Sequence, residues 1–101
     1  MENIQILVIC RHPEILATVV RLINNKPEWK ATGCETDESA INAFEATKHA
    51  VVLIGAGVDA DSERHLRQTF TGIHPQVKIV QHYGGGSGLL FAEIYGALNA
   101  Q

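Results

Sequence analysis

Four times along the chain a short apolar run gives way to a longer stretch whose apolar residues recur at helical spacing. The first run, IQILVIC (4–10), is short, branched and continuous, as a parallel strand buried on both faces must be. Pro13 then suits a first helical turn, and Ile15, Leu16, Val19, Val20, Leu22 and Ile23 predict a helix that NNKPEW interrupts. KATGCE reads as a second, weaker strand. Asp37 is the expected cap of the next helix, whose inner side is Ala40, Ile41, Phe44 and Ala46. AVVLIGA (50–56) is the most strand-like run of all. Asp59, Asp61 and Glu63 follow it at the start of a helix, where negative charge complements the helix end, and Leu66, Phe70 and Ile73 form that helix's inner stripe. VKIVQHY (77–83) predicts a fourth strand, and Leu89, Leu90, Phe91, Ile94, Tyr95 and Leu98 the buried side of a last helix.

Strand and helix alternating in this way build a parallel sheet with helices on both faces, joined by right-handed crossovers. The expected architecture is α/β, a three-layer α/β/α sandwich around a four-stranded sheet of order 2-1-3-4, with residues 1–101 forming one domain. Ligands of such sheets sit at the carboxyl ends of the strands. Here that rim collects Cys10, Arg11, His12, Gly55, Gly57, Asp59, Gln81, His82, Tyr83 and the glycine run after them.

Composition narrows the partners. With 101 residues, 46% of them hydrophobic, the chain can bury a genuine core without disulfide or metal staples. A formal charge of −3 and only eight scattered Lys and Arg argue against nucleic acid, which a basic face must hold. No basic segment precedes the first apolar run, so a secretory signal is not expected, and no apolar run is long enough to cross a bilayer. Cys10 and Cys34 suit a reduced cytoplasmic protein. A redox pair at the ends of adjacent strands is conceivable, and buried thiols acting as small hydrophobes are the commoner case.

Two loops invite a phosphate reading. Backbone N–H groups of GGGSG (84–88) ahead of a helix suit a small anion; the same glycines permit a tight turn that lets Ser87 cap the helix. No Lys or Arg follows Lys78, so a triphosphate cradle is not expected. GAGVDA (55–60) fits G-x-G-x-x-A, yet Asp59 and Asp61 would repel a pyrophosphate, and a plain turn over the sheet edge is the better reading. Cys10, His12 and His82 lack the close spacing of metal ligands, so no metal or cofactor is expected. His49, His65 and His74 fall at helix ends or surfaces, and Trp29 should cover the end of the first helix.

The start ILVICRHPEIL resembles the first strand and loop of the receiver domains of two-component response regulators, in which an acidic pair precedes His-Pro. His12 and Pro13 match that pair's sequel, while Cys10 and Arg11 stand where the acids would be. HAVVLIGAGVD resembles the third strand of that family, with Gly55 at the phosphoaccepting position. The resemblance implies a flavodoxin-like, receiver-like fold. The departures imply loss of Mg²⁺ binding and phosphotransfer, because both need a carboxylate cluster. Nothing after the fourth helix matches the family's fifth strand and its lysine, so the plan is truncated.

Two functions follow as expectations. One is a non-catalytic signalling or interaction module, a pseudo-receiver that self-associates as a homodimer through its open fourth strand or its apolar last helix. The other is a small-anion or small-ligand domain, or an enzyme, whose crevice uses Arg11, His12, Gly55, Gln81, His82, Gly84, Gly85, Gly86 and Ser87, with Arg11 as the available cation.

Overall fold

A computed structural model describes residues 3–82 and 86–99, without the side chains of Gly86 and Ser87. Strand β1 (Ile4–Ile9) is flanked in parallel by β2 (Trp29–Cys34) and β3 (Val51–Ile54), and β3 in turn carries β4 (Lys78–Gln81). The order β2-β1-β3-β4 is the one expected from the sequence. Residues 6–9 and 51–54 are all buried, which is why these two strands read as continuous apolar runs.

The pleat divides their side chains between two cores. Ile6, Val8, Cys10, Val51 and Leu53 face Leu16, Val19 and Ile23 of α1 (Pro13–Asn24) and Leu90, Ile94 and Ala97 of α4 (Gly86–Asn99). Leu7, Ile9, Val52 and Ile54 face Ala40 and Phe44 of α2 (Asp37–Ala46) and Leu66 and Phe70 of α3 (Ala60–Ile73). Each face thus receives two helices. Trp29 is buried in the first core, its ring 5.9 Å from Phe91 and 4.9 Å from Tyr95, so it ties the start of β2 to α4 and does more than cover the end of α1.

Local chemistry moves several expected positions. The cap of α2 is Thr36, in a reciprocal pair with Ser39, and Asp37 becomes the first helical residue. Ile15, Ile73, Leu89 and Tyr95 are exposed although their spacing suggested burial, and Ala46 is exposed as well. A stripe inferred from spacing alone widens past the arc that the sheet can cover. Helix α4 begins at Gly86, which puts Ser87 inside its first turn and not ahead of it.

His49 is the clearest correction: it is not at the surface but 1% exposed, stacked on Phe44, and its Nδ1 has no hydrogen-bond partner among the described residues. Burial lowers its pKa, against a smaller opposing effect of a hydrogen bond with the Thr47 backbone. The folded protein therefore resists protonation that the unfolded chain accepts near pH 6.5, and stability is lost as the pH falls below that value. We expect denaturant midpoints to drop from about pH 7 to about pH 5, and His49→Phe to flatten that slope while keeping the ring stack. An unchanged slope in the variant would assign it to other groups.

Candidate functional site

The rim at the carboxyl ends of β1, β3 and β4 is assembled by backbone bonds that continue the ladders. Cys10 N–H donates to Cys34 O at 3.0 Å, Gly55 N–H to Ile9 O at 2.7 Å, Arg11 N–H to Ala56 O at 2.9 Å and His82 N–H to Ile54 O at 2.8 Å. The turn after β3 closes over Arg11. Gly57 has φ +86°, and a Cβ there would stand 2.6 Å from the Arg11 Cβ, so both conformation and space demand glycine. That requirement explains one glycine of the GAGVDA stretch without any nucleotide. Its Asp59 caps α3, accepting from the Ser62 N–H at 2.8 Å.

Arg11 is already committed. Its guanidinium donates to Glu35 O at 2.7 Å and to Asp37 Oδ1 at 2.5 Å, clamping the β1 loop onto the start of α2. Burial acts to raise the Asp37 pKa, but hydrogen bonds from Arg11 and Ser62 and the charges of Arg11 and His65 outweigh it and hold the carboxyl below its ordinary value. The cation expected to meet a ligand thus meets a neighbouring helix.

Beneath the rim, on the α1 side of the sheet, lies a cavity of about 360 Å³ lined by Val8, Cys10, Ile15, Val19, Leu53, residues 55–58, Gln81 and His82. A second hollow of about 310 Å³ between α1 and α4 shares Ile15, Val19 and His82 with it. His82 is held from behind: its Nδ1 lies 2.5 Å from Glu93 Oε1 of α4, and the two side chains are only 10% and 15% exposed. A broader, shallower groove of about 650 Å³ lies at the opposite end of the sheet, near Asn3, Lys30 and Lys48, away from the edge where such folds hold ligands.

Of the residues nominated from sequence, Gly55, Gln81 and His82 line the cavity, whereas Arg11 and His12 do not. Gly84 and Gly85 lie outside the described residues; Gly86 and Ser87 open α4. Sequence reasoning missed Glu93, although a signal existed, since it is the one charged residue between Lys78 and the end of the chain. Cys10 and Cys34 are both free and buried, but the pleat sends them into different cores on opposite faces of the sheet, which does not serve a redox pair. Among the described residues no group of three His, Cys, Asp or Glu is placed to hold a metal ion.

No protein-family model matches this chain, and no curated protein matches its sequence. Solved structures do match its shape. The lactose-specific IIB component domain of the phosphoenolpyruvate:carbohydrate phosphotransferase system from Streptococcus pneumoniae superposes with a TM-score of 0.66 at 15% identity, covering 96% of this chain and 92% of that one. The non-phosphorylated receiver domain of the stress response regulator RcsB from Escherichia coli gives 0.64 at 13%, covering 95% and 76%. The fold is flavodoxin-like and receiver-like. A putative pilus assembly protein, CpaE, from Burkholderia thailandensis gives 0.60 at 18%, covering 93% and 79%. At these identities the likeness is one of fold.

Two outcomes test the rim. Gly57→Ala should lower stability by about 1–3 kcal/mol, from a strained φ and a displaced Arg11, measured by denaturant unfolding. Arg11→Met should raise the pKa of Asp37 toward its ordinary value in a carboxyl NMR titration. Because the native value is depressed, wild-type stability should fall as the pH drops below about 4, and fall less steeply in the variant.

Proposed function

We propose that this protein is a non-catalytic interaction module on the receiver plan, a pseudo-receiver that forms a homodimer through α4. The observation that carries the reading is the outer face of that helix. Gly88, Leu89, Ala92, Tyr95 and Gly96 are all exposed, with Leu89 at 46% and Tyr95 at 43%, and Glu93, the helix's one charged residue, is turned inward to His82. An exposed helical face without charge is unusual for a helix that only meets water.

The glycines sharpen this. A Cβ at Gly88 or Gly96 would meet nothing within 4 Å, so nothing within the described chain requires glycine there. Each costs about 1 kcal/mol of helix propensity relative to alanine. Gly88, Ala92 and Gly96 recur at four-residue spacing, a small-residue line that lets a second helix approach closely, with Leu89 and Tyr95 beside it as apolar contacts. A second copy offers the same line, which suits a two-fold interface.

Absence of phosphoryl chemistry is supported at the rim. The receiver's acidic positions hold Cys10, Arg11 and Gly55, Asp37 is paired with Arg11, and Asp59 is spent on a helix cap. No helix among the described residues is long and apolar enough to cross a membrane, and two free, buried thiols fit the cytoplasm, where we place the protein.

Sedimentation equilibrium should show a concentration-dependent dimer, and Ala92→Glu, at an exposed site, should leave a folded monomer with its thermal midpoint within a few degrees of wild type (about 0.5 kcal/mol). A strict monomer at high concentration contradicts the dimer. A phosphoryl adduct in intact-mass spectra after acetyl phosphate and Mg²⁺ contradicts the non-catalytic assignment.

A further inference from the structure

We propose that the cavity under the carboxyl rim binds a small, neutral, ring-sized molecule that donates a hydrogen bond to His82 Nε2. The lining sets the class. Val8, Ile15, Val19 and Leu53 make its walls apolar, and among the described residues no Lys, Arg, Asp or Glu lines it. Its volume, about 360 Å³, falls in the range of small-molecule sites, which combine an apolar wall with a few placed polar groups.

His82 is such a group. It is nine-tenths buried, lines the cavity, and has one nitrogen engaged. A carboxylate can only accept, so the bond to Glu93 Oε1 places the proton on Nδ1 and leaves Nε2 of the neutral ring as an acceptor. No partner for Nε2 is found among the described residues. The complementary ligand is therefore a donor, a hydroxyl or ring N–H, on an apolar body. An anion is disfavoured twice over: the nearest guanidinium is bound to Asp37, and the Glu93 carboxylate stands behind the imidazole. At this cavity a neutral ligand is therefore preferred to an anion. This assignment does not depend on self-association through α4.

The test is a titration of the ¹⁵N-labelled full chain, at about pH 8, with phenol, with its methyl ether anisole, and with inorganic phosphate, followed by amide shifts. Phenol should give saturable shifts at Gly55, Gly57 and His82; anisole, which fills the same space without a donor, should bind about fivefold or more weakly. Phosphate should move none of these amides. Ile15→Trp, at a half-exposed position on the cavity wall, should abolish the phenol shifts while the rest of the spectrum stays native. Equal binding of phenol and anisole, saturable shifts with phosphate, no saturation with phenol, or retained phenol binding in a folded Ile15→Trp would each overturn the proposal. If Ile15→Trp fails to fold, the wild-type comparison of phenol with anisole decides alone.

Discussion

Burial of β1 and β3 on both faces is the constraint from which the rest follows. Eight apolar side chains in two runs of four, Ile6–Ile9 and Val51–Ile54, alternate to opposite sides of one sheet, so each side must be covered or lose its hydrophobic free energy to water. Right-handed crossovers supply the cover, two helices to a face. α4 joins α1 because β4 is an edge strand and the α1 face would otherwise present Val51 and Leu53 to solvent. Trp29, packed against Phe91 and Tyr95 on the same face, ties that docking to β2 at the other edge of the sheet.

The rim inherits its chemistry from this scaffold. On a receiver-like plan the loops after β1 and β3 are where acids would gather, and here one of them carries a guanidinium that seals onto α2. Sealing the polar side in this way leaves the α1 side of the rim largely apolar, with the His82 imidazole held by a carboxylate from α4. One helix therefore does two jobs: its inner side positions His82 through Glu93, and its outer side is free of charge. That division explains why a helix so poor in polar residues is nonetheless half exposed.

Much of the architecture could be read in the chain because period and run length report burial directly. IQILVI and VVLI announce two-sided strands, and the alternation of elements dictates the order of the sheet. What could not be read depends on distances between segments far apart in sequence. Arg11 looks like a free cation until the α2 cap, set by Thr36 and Ser39, brings Asp37 within reach. His49 looks like a helix-end residue until it is buried and stacked on Phe44. His82 was legible as a rim residue, but its carboxylate partner was not, since Glu93 lies eleven residues on. Leu89 and Tyr95 read as core because helical spacing marks an apolar arc without saying how much of it the sheet covers.

The central claim is that the uncharged outer face of α4 is built to be covered by a second copy of the same surface. Amide hydrogen exchange measured at several protein concentrations addresses it most directly, since exchange reports local opening residue by residue. The account predicts that protection across residues 88–96 rises with concentration while that of α2 and α3 stays constant. Protection of α4 that is low and independent of concentration would contradict it.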